Sequence, residues 1–215
     1  MLRADPGLVV RGLSATLGGR AVLRDVALDV SPGELVALTG ASGAGKTTLL
    51  RAIAGLLVAR GTILVAGPPA LVFQQHALAN RLSARDNVLV GGLGRIGFWR
   101  AAFRLWPRAD IAAAEACLDR VGLGGLGARR ADRLSGGQRQ RVAIARALHQ
   151  RARILLADEP VASLDPALAE EVVALLRDLA RRDGLAVLVS LHQHDLARRF
   201  ADRLLHLENG CLKIS

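Results

Sequence analysis

Between Leu35 and Leu50 a short apolar run, Leu35-Val36-Ala37-Leu38, breaks at Gly40 and gives way to helix formers from Lys46 onward. That order predicts strand, loop, helix. The loop reads Gly40-Ala41-Ser42-Gly43-Ala44-Gly45-Lys46-Thr47-Thr48 and satisfies the phosphate-binding pattern G-x-x-x-x-G-K-[ST]. Glycines at 40, 43 and 45 let the backbone curl so that several N–H groups point inward. The helix that follows adds the positive end of its dipole, and the resulting nest of donors suits a polyphosphate. Lys46 is one of only two lysines among 29 basic residues. It is placed to neutralise the outer phosphates, and the Thr47 hydroxyl to ligate Mg²⁺. An ordinary Gly-rich turn would need neither the strand before it nor the helix after it.

At 215 residues the chain makes one sizeable domain, or one with a subdomain, and can bury a real core. It is 51% hydrophobic, yet no apolar run reaches the roughly 18 residues of a membrane span. The opening MLRADPG has no apolar stretch of the secretory kind, so a cytoplasmic placement is expected. Cys117 and Cys211 supply neither a disulfide framework nor a zinc pattern. A net charge of +10 invites anionic partners such as nucleic acid, an acidic membrane face or phosphate ligands. Arginine accounts for all but two of the basic residues, however, so compositional bias explains the charge equally well.

Residues 8–30 alternate weakly around Gly18-Gly19, which reads as an antiparallel β layer with a hairpin. Ser31-Pro32-Gly33 turns the chain into the phosphate-loop strand. Further short strands are expected at 61–67 and 71–73, the second ending at Gln74. From about Ala77 to Arg133 the pattern turns helical, with Ser83 and Asp86 spaced as a capping box and an amphipathic helix at 111–121 stopped by Gly122. Four of the six aromatics fall in 98–106. At helical spacing Trp99, Phe103 and Trp106 form one stripe, and Arg100, Arg104 and Arg108 another. Two readings stand: a core-packing helix with a solvated basic face, or a docking surface for a membrane protein or headgroups.

Leu134-Ser135-Gly136-Gly137-Gln138 leads into a helix expected at 141–150, with Ser135 as N-cap, and makes a second potential anion site. By itself a Ser-Gly-Gly turn says little; downstream of a phosphate loop it says much more. Ile154–Ala157 reads as a buried strand ending in Asp158-Glu159. Acids at the carboxyl end of a parallel strand sit where ligands bind, so Asp158 suits Mg²⁺ and Glu159 can polarise a water. Asp165-Pro166 caps a helix, and Ala186–Leu191 is a further buried strand ending at His192. Of His192 and His194, one is placed as a switch facing a γ-phosphate and the other as surface or cap. A closing hairpin turns at Asn209-Gly210.

In this order the motifs resemble the ATP-binding subunit of an ABC transporter over essentially the whole chain. They are the phosphate loop (40–47), Gln74, Leu134–Gln138, Asp158-Glu159, Ser163-Leu164-Asp165 and His192. The resemblance implies one α/β domain over 1–215. Residues 1–76 and 134–215 would form a P-loop NTPase core, a mostly parallel sheet with flanking helices, together with an antiparallel β subdomain. Residues 77–133 would be an inserted helical subdomain. It implies a homodimer that sandwiches two ATP molecules, each held by residues 40–48 of one protomer and by Ser135, Gly136, Gly137 and Gln138 of the other. Thr47, Asp158 and Gln74 would serve Mg²⁺, Glu159 would be the catalytic base with His192 and Gln74 assisting, and Asp165 would bridge protomers. Integral-membrane permease subunits and an extracytoplasmic substrate-binding protein are the implied partners, at the cytoplasmic face of the cell membrane, with no nucleic acid.

Narrower stretches are similar to the phosphonate-importer ATPases: Phe73-Gln74-Gln75, residues 81–89, residues 92–103, Glu159–Pro166 and Ser190–Gln193. Transporters of phosphate or other anions, and exporters, share every ATPase motif. A soluble ABC-type ATPase acting on nucleic acid would carry long heptads or zinc modules before the Leu134–Gln138 turn, and none is present here. Two features depart from the family. Leu17 stands where an aromatic usually stacks on adenine, a loss of about 1–3 kcal/mol by analogy with other stacking platforms. The connection from Lys46 to Gln74 is short, and Gly67-Pro68-Pro69 is expected to replace part of the β arm.

Overall fold

The computed structural model describes residues 7–73, 78–95 and 105–214. Chain contacts divide it into two compact units, Met1–Gln74 with Arg153–Ser215, and Gln75–Ala152.

In the first unit β1 (Leu8–Leu17) and β2 (Arg20–Val30) form the expected hairpin. β4 (Arg60–Val65) joins the other edge of β1, again antiparallel, to give a three-stranded layer. Leu8, Val10 and Leu13 of β1 and Leu23, Val26 and Val30 of β2 are buried. Their alternation reads weakly in the sequence because the register slips three times: Gly12 (φ 62°) and Asp25 (φ 49°) each add a residue to one strand, and a third slip falls between Ala15 and Thr16. The β arm is therefore a full three strands, with residues 66–69 carrying the chain on to β5 (Ala70–Val72).

The second sheet contains β5, β6 (Ile154–Asp158), β7 (Ala186–Ser190), β3 (Leu35–Thr39), β8 (Arg203–Glu208) and β9 (Cys211–Ile214), in that spatial order. All are parallel except β9, which runs antiparallel to β8 around Asn209 and Gly210, both at positive φ. β3, β6 and β7 are buried at every position, which is why they appear as unbroken apolar runs rather than alternations. Helix α1 (Lys46–Ile53) contributes Leu49, Leu50 and Ile53 to the core shared by both sheets. Helix α5 (Pro166–Asp183) starts on Asp165, whose carboxylate accepts the Leu168 N–H at 3.0 Å, and ends on Gly184 in the left-handed region. The short α6 (His194–Phe200) places His194 at its first turn.

The second unit packs α2 (Ala84–Leu89), α3 (Arg108–Arg120) and α4 (Gly136–His149) against one another. Ser83 accepts the Asp86 N–H at 3.0 Å and so caps α2, which tightens into a 3₁₀ turn over Val90–Arg95. Two helices begin earlier than their apolar periodicity suggests. α3 starts at Arg108, directly after Pro107, whose fixed φ is compatible with helix entry. α4 starts at Gly136, because Ser135 and Gln138 form a reciprocal capping box that outweighs the low helix propensity of two glycines. The stripe of Trp99, Phe103, Arg100 and Arg104 lies outside the described residues; Trp106 and Arg108 lie within them. Among the described residues no helix is long and apolar enough to cross a membrane.

Candidate active site

Three neighbouring strands of the parallel sheet, β6, β7 and β3, release their chains at the same edge, and the chemistry collects there. From β3 the chain enters the 40–48 loop. Gly40 sits at φ 145°, and a Cβ there would lie 2.3 Å from the Leu207 carbonyl oxygen, so no other residue fits. Gly45 (φ 108°) is the N-cap of α1 and supplies the left-handed turn into the helix. Within the loop a turn is closed by Ala44 N–H donating to the Ala41 carbonyl at 3.1 Å. Lys46 is 4% exposed, and its ammonium donates to the carbonyls of Gly40 at 2.8 Å and Ala41 at 3.1 Å.

β6 delivers the acids. Asp158 is buried, and its Oδ1 accepts two hydroxyls, Thr47 Oγ1 at 3.1 Å and Ser190 Oγ at 3.0 Å. Ser190, the last residue of β7, pairs in register with Asp158 and also accepts the Glu159 N–H at 2.8 Å. Glu159 sits at φ 47°, a conformation uncommon outside glycine. Its Oε1 lies 3.9 Å from Lys46 Nζ and 2.5 Å from His192 Nε2. Sequence reasoning passed over Ser190, because its part depends on strand register rather than on a local motif. A cleft of about 390 Å³ is lined by Ser42, Gly43, residues 45–48, Val22, Glu159 and His192.

This grouping can bind a polyphosphate through loop N–H groups and one buried cation. Thr47 and Asp158 are hard oxygen donors 3.1 Å apart. They fit a small divalent cation that completes its shell with phosphate oxygens and water. A protein-only cage is not what the chain offers: among the described residues no group of three His, Cys, Asp or Glu could hold a metal.

Ser135, Gly136, Gly137 and Gln138 form their own cluster in the second unit, at the N-terminus of α4. Asp165 caps α5. Gln74 lies outside the described residues.

The family model described as ABC transporter matches residues 23–162. The chain belongs to the ABC transporter family. Within that family it is 48% identical over 223 residues to the phosphonates import ATP-binding protein PhnC 2 of Pseudomonas savastanoi pv. phaseolicola, covering 94% of this chain and 80% of the relative. It is 50% identical over 212 residues to phosphonates import ATP-binding protein PhnC 1 of Natronomonas pharaonis, covering 95% and 91%. Among solved structures it is similar to a dimeric post-hydrolysis state of an ATP-binding cassette bound to ADP and Pi. That likeness has a TM-score of 0.80 at 28% identity and covers 96% of this chain and 98% of the other. The sandwich of strand ends that gathers Lys46, Asp158 and Glu159 therefore stands in an ABC ATPase fold.

Proposed function

We propose that this chain is the ATP-hydrolysing subunit of an ABC importer that powers uptake of phosphonate or a related phosphorus oxyanion. One observation carries the hydrolytic part: Lys46, Thr47, Asp158, Glu159 and His192 meet at the carboxyl ends of adjacent parallel strands. The cargo is supported by two relatives named as phosphonate importers at 48% and 50% identity.

In this reading the loop 40–48 cradles the phosphates of ATP, and Lys46 leaves its own carbonyls to meet the outer ones. Thr47 and Asp158, with Gln74 as the third residue the family resemblance implies, would hold Mg²⁺, which would neutralise charge developing on the transferred phosphoryl group. Glu159 orients and deprotonates the attacking water, and His192, in contact with Glu159, steadies the γ-phosphate. Ser135–Gln138 of a second copy closes over the nucleotide, with Asp165 bridging the protomers. Hydrolysis then depends on closure, because donors from one protomer alone do not surround the transition state. The dimer works at the cytoplasmic face of the membrane against permease subunits fed by an extracytoplasmic binding protein.

The test is Glu159→Gln. The variant is expected to bind Mg·ATP, to lose hydrolysis by at least about a hundredfold, and to accumulate as a nucleotide-bound dimer by size exclusion. Hydrolysis at the wild-type rate would remove Glu159 from its role. The cargo is read separately, by calorimetry of the partner binding protein with a phosphonate; a protein that takes a sugar or amino acid instead sinks that half.

A further inference from the structure

Resting on the reading of this chain as a subunit that works at the membrane, we propose that its helical unit lies directly against anionic lipid headgroups. The contact is the end of that unit formed by Leu93, Arg95, Leu105, Trp106, Arg108 and Arg151. Charge is segregated along the chain. Residues 75–152 hold fourteen arginines against five acids, whereas the other unit holds fifteen basic residues against fourteen acids. Nine of the ten net positive charges therefore belong to one unit. A compositional preference for arginine runs through both units, but only in the nucleotide-binding one do matching acids cancel it.

Within the helical unit the acids are already occupied. Asp110 lies 3.9 Å from Arg95 and Glu115 3.2 Å from Arg85, Asp132 pairs with Arg130, and Asp86 is partnered as well. Among the described residues Arg81, Arg108, Arg129, Arg133, Arg139 and Arg151 have no ion pair. Arg81, Arg129 and Arg133 sit on two segments laced antiparallel, with Ala84 N–H donating to the Arg129 carbonyl at 2.8 Å and Ala131 N–H to that of Leu82 at 2.9 Å. Their backbone is fixed, and the unit keeps a standing positive field.

The apolar part of the surface lies at the far end of α4. There Arg95 donates to the His149 carbonyl at 2.7 Å and faces Asp110. This brings together the 3₁₀ turn that carries Leu93, the start of α3 that carries Arg108, and Arg151 just past α4. Leu93 is 40% exposed, Leu105 63%, and Trp106 is partly buried. Single exposed leucines are ordinary. Two of them set among arginines and a tryptophan have the composition of a surface that rests in a bilayer interface. A polynucleotide would gain little from leucines, since bases stack on aromatic faces. The negatively charged cytoplasmic leaflet offers both the charge and the apolar boundary.

The experiment sediments the purified full-length subunit with vesicles of phosphatidylcholine, alone or with about a third phosphatidylglycerol, a headgroup mixture of stated charge. Binding to the anionic vesicles should be at least about tenfold stronger, and should be lost as salt rises from about 0.1 to 0.5 M. R108Q/R151Q should weaken it roughly twenty-five-fold, about fivefold for each arginine. L93S/L105S should weaken it by about tenfold or more. Both variants should keep the basal ATPase rate, and should L93S/L105S not fold, R108Q/R151Q at exposed sites still decides the matter. Equal binding to both vesicles would overturn the inference, as would anionic binding unmoved in R108Q/R151Q. Release from the vesicles by an equal concentration of an RNA oligonucleotide would give the surface to nucleic acid instead. Vesicles ignored, with the permease lost from L93S/L105S in a pull-down, would give it to the permease. A subunit that hydrolyses ATP and ignores anionic vesicles sinks only this inference, whereas one that binds them and never hydrolyses ATP sinks the ATPase reading.

Discussion

At the residue scale the site turns on one hydroxyl. Ser190 Oγ gives its proton to Asp158 and takes one from the Glu159 amide, so it fixes both acids at once from the neighbouring strand. Replacing it by Ala leaves the Glu159 amide without its acceptor and Asp158 with one hydroxyl partner fewer. The expected loss is about 1–3 kcal/mol of stability, read by denaturant unfolding, together with a fall in kcat larger than any change in KM for nucleotide. Unchanged stability and unchanged kcat would show that strand register alone positions the acids. The same residue marks how far the sequence could be read. Lys46, Thr47, Asp158, Glu159 and His192 are each announced by a local pattern, a glycine-rich loop or a polar residue ending an apolar run. Ser190 ends such a run too, but its partners lie a strand away, and pairing register has no local signature.

At the scale of elements, burial and capping decided where reading worked. β3, β6 and β7 were legible because strands covered on both faces must be apolar throughout. α3 and α4 were seen late in their length, because their first turns are polar and are held by entry geometry rather than by an apolar face. The far end of α4 makes a prediction of its own. His149 is 2% exposed, and Arg95 donates to its carbonyl at 2.7 Å and lies 3.3 Å from its Nε2. Burial and then Arg95 push the imidazole below its ordinary value of 6.5; Asp110 pulls the other way, and Arg151 adds a smaller push downward. A base depressed in the folded state is protonated first in the unfolded chain. Stability is therefore full above about 6.5 and declines as pH falls from there toward the depressed folded value. The unfolding midpoint should drop between pH 7 and pH 5, and His149→Gln should flatten that slope. An identical slope in the variant would assign the acid sensitivity to other groups.

For the molecule as a whole, the proposed division of each active centre between two copies predicts kinetics that a self-sufficient monomer cannot show. Specific ATPase activity should fall as the subunit is diluted below its dimer dissociation constant, and mixing wild type with an excess of Glu159→Gln should suppress turnover. Specific activity constant down to nanomolar protein would place every required group within one copy. This level was legible only through the order of motifs along the chain, since no residue pattern announces that a helix N-terminus such as that at Ser135–Gln138 completes a site in another molecule.

The ammonium of Lys46 resting on the carbonyls of Gly40 and Ala41 has a consequence for repeated cycling. A stretch so rich in glycine would otherwise be floppy and would have to be ordered afresh for each guest. Tethered from inside by its own cation, it keeps its bowl shape. Arrival of a triphosphate then becomes a swap of oxygens around one nitrogen, a small side-chain swing in place of a loop rebuilt on every stroke.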